Sequence, residues 1–221
     1  METLRGFLGR ALVMALSLAS AASAAPNVTV VPLGSGCDSF PGYDDATGIA
    51  KPLHVAVDST GKEFDGYQFV PQFSTAVGGG AWGFMVIRPI ADGAAVPEPS
   101  PMQCANDTLQ AYLDMGFVGI RWQNLIAAGT PAESVFGFGL PDLPDPNYHL
   151  ETYQHIVDEE VQPDAYLGAI NVTTWGFNYQ NFTETGEYYF ARLLGPNSNN
   201  LATGEPLNPG EFTGYIKVTA G

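Results

Sequence analysis

From Val28 onward the apolar residues come in short runs that Gly and Pro keep interrupting: Val28 to Leu33, His54 to Val57, Phe69 to Phe73, Trp82 to Ile90, Ser134 to Phe138, Tyr166 to Trp175, Tyr188 to Leu194 and Phe212 to Val218. Runs of this length suit strands, and their recurrence between turn formers is the pattern of an all-β sandwich or barrel. With 26 Gly and 17 Pro, turn residues are plentiful, while 45% hydrophobic content supplies a core and excludes a disordered tail. The expected fold is mainly β, a single-domain sandwich or barrel over residues 25–221 with one or two short helices and one disulfide.

Two stretches read as those helices. Asp107 can cap a turn that carries Leu109, Tyr112 and Leu113 at helical spacing, with Gly116 beyond Met115. In the second, Asp145 and Pro146 make a helix start, Leu150, Tyr153, Val157 and Val161 recur at steps of three and four, and Pro163 closes it. Helix is favoured there over a strand, although Asp158, Glu159 and Glu160 would crowd the negative end of the helix dipole. Trp82-Gly83-Phe84 recurs as Trp175-Gly176-Phe177, but the surrounding residues differ and the match reads as chance.

The N-terminus has the order of a secretory signal peptide: Arg5 and Arg10, an apolar run from Ala11 to Leu18, then small residues to Ala25. Cleavage is expected after Ala24, leaving a secreted, extracellular protein. No later run is long enough for a membrane helix, so no membrane partner is expected. Asn27, Asn106, Asn171 and Asn181 each open an Asn-x-Thr sequon and are expected to be glycosylated. Cys37 and Cys104, the two cysteines, should pair as a disulfide in an oxidising compartment. A net charge of -15 repels phosphate backbones, which excludes nucleic acid as a partner and leaves a small-molecule or carbohydrate ligand.

Candidate chemistry centres on His155, Glu151 and Tyr153. On a helix Glu151 and His155 share a face; on a strand His149, Glu151, Tyr153 and His155 all point to one side. Either arrangement makes a proton-transfer set. Arg88, Arg121 and Arg192 each interrupt an apolar run, as an arginine that orients a ligand oxygen would. Arg121 is placed with the catalytic set, and Arg88 and Arg192 with substrate binding. Trp82, Trp122 and Trp175 are candidate walls or sugar-stacking platforms. His149 and His155 sit too far apart on one regular element to share an ion, and the zinc and calcium patterns are missing, so neither metal nor cofactor is expected.

Three readings of function follow. The first is a cofactor-free acid–base enzyme of isomerase, cyclase or lyase type, acting on an apolar oxygenated small molecule. The second is a non-catalytic extracellular or cell-wall glycoprotein that binds carbohydrate, which requires Trp and Tyr exposed in a row. The third is a β-sandwich glycoside hydrolase with Glu187 as one of its two carboxylates.

Overall fold

The computed structural model describes residues 28–75, 81–90, 97–129, 134–139, 147–195, 198 and 206–221. The expected signal peptide, Asn27, Asp145 and Pro146 lie outside them. Among the described residues fifteen strands form one antiparallel sheet: β1 (Val28–Gly34), β2 (Tyr43–Asp44), β3 (Ile49–Asp58), β4 (Val70–Thr75), β5 (Ala81–Ile87), β6 (Met102–Ala105), β7 (Thr108–Asp114), β8 (Ile120–Ala128), β9 (Ser134–Phe138), β10 (Tyr148–His149), β11 (Glu151–Val157), β12 (Glu160–Gly168), β13 (Trp175–Phe182), β14 (Gly186–Leu193) and β15 (Phe212–Ala220). The only helical pieces among the described residues are 3-10 turns at Cys37–Ser39 and Gly116–Val118.

The pairing closes on itself. β3 pairs β6, then β7, β8, β9, β14, β13 and β15 follow, and β15 returns to β3. Closure leaves none of these barrel strands as an edge. The β4–β5 hairpin wedges in where β5 reaches both β14 and β9, and β12, β11 and β1 extend as a wing from β15.

Strand alternation fills the interior. Leu53, Val55 and Val57 of β3, Leu109, Ala111 and Leu113 of β7, Leu125 and Ala127 of β8, Phe136 and Phe138 of β9, Trp175 and Phe177 of β13, and Ile216 and Val218 of β15 are all buried in one cluster. Burying each of the larger side chains is worth roughly 1.5–3 kcal/mol. The two Trp-Gly-Phe tripeptides are unrelated in role: Trp175 and Phe177 join this cluster, whereas Trp82 and Phe84 are half-exposed on β5.

Both expected helices are strands. Asn106 and Asp107 adopt φ of 52° and 55°, the left-handed pair of a tight hairpin turn, so Asp107 turns β6 into β7 instead of capping a helix. Leu109, Ala111 and Leu113 then alternate inward, and Tyr112 lies exposed. The same chemistry decides the second stretch, where Asp158 and Glu159 at φ 48° and 71° turn β11 into β12. The acidic run that made a poor helix end is a hairpin tip. The run Tyr166 to Trp175 is likewise broken, by Ile170 and Asn171 at φ 49° and 61°.

The disulfide joins Cys37, in the first 3-10 turn, to Cys104 on β6, both buried. It pins the segment after β1 to the barrel wall, and Thr152 of β11 adds a hydrogen bond to the carbonyl of Ser39 at 3.0 Å.

Candidate functional site

Strand geometry places Glu151, Tyr153 and His155 at alternate positions of β11, and Tyr153 and His155 are sealed. His155 is 1% exposed. Its ring stacks on Tyr166 at 3.7 Å and 3°, meets the edge of Tyr215 at 4.5 Å, and shares a 2.8 Å hydrogen bond between Nε2 and Thr173 Oγ1. The register of β11 against β12 shifts opposite His155, around Pro163, which has no N–H to give the ladder. Burial pushes the His155 pKa down to about 4, with nearby Asp58 opposing the shift. The Tyr153 hydroxyl donates to Glu151 Oε2 at 2.7 Å and accepts from the Asn171 N–H at 3.0 Å. Burial and the Glu151 carboxylate push its pKa up to about 12. These contacts tie β11 of the wing to Thr173 and Asn171, which lie between β12 and β13.

A measurable pH dependence follows. The folded pKa of His155 lies below the ordinary value near 6.5, so the unfolded chain binds the extra proton as pH falls from 6.5 toward 4. Its contribution to stability is whole above pH 6.5 and is lost on acidification through that window. Urea unfolding should show the wild type losing about 2 kcal/mol more than His155→Gln between pH 7.5 and 5. Equal pH slopes for the two proteins would show that His155 does not stay neutral in the fold.

The three candidate arginines have separate environments. Arg192 is buried on β14 and grips Glu211 through both carboxylate oxygens, Nε to Oε1 and Nη2 to Oε2 at 2.7 Å each. Further donors reach the carbonyls of Ser198 at 3.3 Å and Pro206 at 3.1 Å. Gly176, across the hairpin from Arg192, makes this possible, because a Cβ there would collide with the Glu211 carboxylate. Arg88 ties β5 to the end of the β13–β14 hairpin: Nη1 donates to the Thr185 carbonyl at 2.9 Å, Nη2 to Gln72 Oε1, and the guanidinium lies 5.7 Å from the Tyr188 ring. It also lines an apolar cleft of about 260 Å³ with Tyr67, Val70, Ile90 and Pro99. Arg121 is exposed on β8, on a different strand from the β11 set.

The tryptophans divide similarly. Trp175 is core, wholly buried, with Nε1 donating to the Leu167 carbonyl at 2.9 Å. Trp82 is half-exposed and meets Phe84 edge-on at 5.3 Å. Trp122 is 37% exposed and faces Tyr112, 42% exposed, at 5.1 Å with 46° between the rings. The register makes them direct cross-strand partners on β7 and β8. Beside them runs a ladder of amides: Gln103 Nε2 donates to Gln110 Oε1, and Gln110 Nε2 to Asn124 Oδ1, each at 3.0 Å.

Trp122 and Asn124 also line an open cleft of about 510 Å³ with Arg121, Ile126, Asn147 and His149. His149 enters from β10, which pairs it with Ile126. Asn147 Oδ1 is buried without a hydrogen-bond partner. An unmet acceptor costs roughly 1–3 kcal/mol, so the cleft wall holds a group that gains by turning its amide to a ligand donor. A second open cleft of about 380 Å³ lies where β4, β5 and the tip of the β13–β14 hairpin meet. Phe73, Phe84, Phe182 and Tyr188 wall it, and Thr185 Oγ1 is buried there without a partner. Neither His155 nor Tyr153 lines any of these clefts.

Tyr112, Gln103, Gln110, Asn124 and Asn147 are absent from the sequence-derived candidates. For Gln110 and Tyr112 the signal was the alternation Leu109, Ala111, Leu113 against Gln110, Tyr112, Asp114, which a helix reading of that stretch hides. Asn106 and Asn171 are exposed at hairpin turns and Asn181 is exposed on β13, so each sequon asparagine among the described residues is accessible. Glu187 faces Asn181 across the β13–β14 hairpin at 3.5 Å, and is exposed. Compared with models of known protein families and with curated proteins, the chain matches none.

Proposed function

We propose that this is a secreted glycoprotein that binds uncharged carbohydrate on the outer face of its barrel, without acting on it chemically. The observation that carries this reading is the exposed Tyr112–Trp122 pair beside the Gln103–Gln110–Asn124 amides and the cleft of Asn147 and His149. An aromatic ring offers its electron-rich face to the C–H groups on one side of a pyranose, while amides donate and accept toward hydroxyls around its rim. The cleft volume falls within the range of roughly 300–1,000 Å³ usual for ligand sites. The 46° between the rings favours a single chain lying across the pair over a flat crystalline surface, which needs coplanar rings. A net charge of -15 disfavours acidic glycans. The disulfide agrees with an oxidising, extracellular setting.

The acid–base reading needs a substrate at His155, whose ring is 1% exposed, stacked on Tyr166 and met edge-on by Tyr215, which favours the binding reading over it. Trp122→Ala is expected to weaken glycan binding by at least about 10-fold, the loss typical of a central aromatic contact. Its thermal midpoint should stay within a few degrees, because the side chain stands on the solvent face. Binding measured on an array of neutral glycans checks both statements. A wild-type protein that binds none of them, or a Trp122→Ala variant that binds as well, overturns the proposal.

A further inference from the structure

We infer that the sugar bound here is the neutral headgroup of a membrane glycolipid, and that the apex of the β7–β8 hairpin docks on the bilayer that carries it. This rests on the glycan reading of the Trp122 face and names the source of the sugar. Its basis is what continues from the Tyr112–Trp122 pair toward the hairpin apex. Phe117 is 108% exposed, and Val118 and Ile120 are each 58% exposed. Bare apolar side chains scattered singly are ordinary, but these adjoin one another, and such a cluster marks a contact surface. A soluble sugar seated on Trp122 would leave Phe117 uncovered.

The register orders the outer face of the hairpin into rows. Gln110 pairs Asn124, Tyr112 pairs Trp122 and Asp114 pairs Ile120, with Phe117 and Val118 in the apex beyond. From the amide row to the apex, the face passes from hydrogen-bonding groups, through rings with one polar atom each, to hydrocarbon side chains. A bilayer bearing glycolipid has the same profile: sugar outermost, then headgroups with Trp and Tyr favoured at that level, then acyl chains. A pocket on another protein imposes no such order. Successive rows are about 7 Å apart, and the headgroup layer on one side of a bilayer is roughly 5–8 Å thick. With the hairpin standing on its apex, Phe117 and Val118 reach the acyl boundary and the Ile120 row lies among the headgroups. The Tyr112–Trp122 row then stands at their outer limit, where a glycolipid's sugar begins. Asp114 limits the depth, because its exposed carboxylate keeps the Ile120 row in contact with water.

Part of the apex backbone is already satisfied without water. The Gly116 N–H donates to Asp114 Oδ1 at 3.0 Å, the Gly119 N–H to the Gly116 carbonyl at 2.9 Å and the Met115 N–H to the Gly119 carbonyl at 3.1 Å. Met115, 4% exposed, anchors the base of the apex in the core. A net charge of -15 makes neutral lipids the partner, since an anionic surface would repel the chain. The sequence argued against a membrane partner only through its lack of a spanning helix, and an apex that stops at the acyl boundary spans nothing.

The test is flotation of the folded, disulfide-bonded protein with phosphatidylcholine vesicles, plain or carrying glucosylceramide, galactosylceramide or lactosylceramide. Wild type is expected to bind one of the glycolipid vesicles at least about 10-fold better than plain vesicles, because sugar and bilayer contacts then act together. Phe117→Ser/Val118→Ser should lose at least about 10-fold on the same vesicles, the effect of no longer burying a phenylalanine. It should keep the wild-type signal on the array of neutral glycans and the wild-type thermal midpoint, since both side chains are exposed. Trp122→Ala should weaken both kinds of binding. Equal binding to plain and glycolipid vesicles, or a double variant that floats like wild type, overturns the docking and leaves the glycan reading standing. Binding on the array with no binding to any glycolipid vesicle has the same meaning. If neither the array nor the vesicles are bound, the glycan reading falls together with the docking.

Discussion

Replacing Arg192 by methionine should destabilise the fold by about 3–5 kcal/mol, the largest loss expected from any single substitution here. The cause is what remains. Glu211 has a fully buried side chain, and its two oxygens take the Arg192 fork plus the Asn208 N–H at 2.7 Å. Without the guanidinium that carboxylate stays in a dry site with its charge unmatched, or takes up a proton at a comparable cost. The Ser198 and Pro206 carbonyls also lose their donors, so the chain leading into β15 is released from the outer face of β14. Urea unfolding of Arg192→Met and of the double variant Arg192→Met/Glu211→Leu separates the two contributions. The double variant should recover a large part of the loss, because removing both charges removes the stranded one. A single variant within 1 kcal/mol of wild type would mean that Glu211 finds water or another donor.

Opening the Cys37–Cys104 bridge should have a similar effect, about 4 kcal/mol from loop entropy for a separation of 67 residues. Most of that acts on the unfolded chain, which gains freedom once the crosslink is gone. Cys37→Ala/Cys104→Ala keeps the buried positions apolar and tests the crosslink itself, since a reduced pair would leave two thiols in the core. The folded state should keep its strand spectrum, with a lower denaturation midpoint and a larger denaturant slope for the more expanded unfolded chain. An unchanged midpoint would place the stabilisation of the first 3-10 turn elsewhere, with Phe40 and the Thr152 contact to Ser39.

Several strands of the barrel wall were readable because their inward and outward residues alternate plainly. Ser134–Phe138 is an instance, with its two inward phenylalanines and the glycine between them. The pairing of Cys37 with Cys104 was readable because no other cysteine competes. Misreadings cluster at three hairpins whose tips are non-glycine residues with positive φ: Asn106-Asp107, Asp158-Glu159 and Ile170-Asn171. In each, the local sequence suits a helix end or a continuing strand as well as a turn. What tips the balance is the gain from pairing both flanking segments against neighbours far along the chain, a gain invisible in a short window.

The site shows the same division. His155, Glu151 and Tyr153 were chosen for their chemistry, and chemistry alone does not say whether a histidine is sealed beneath two tyrosines or open to a ligand. Trp122 was chosen for its aromatic surface, but its partner Tyr112 became visible only when β7 and β8 were set in register. Composition and local pattern determined the class of fold, the single crosslink and the supply of aromatic and amide groups, because burial preference and strand periodicity are properties of each segment. Closure of the barrel, the pairing of Arg192 with Glu211 and the union of Trp122, Asn124, Asn147 and His149 in one cleft were decided by tertiary structure. They join residues on strands distant in sequence, and such contacts form only where cross-strand packing outweighs the entropy of closing the intervening loops.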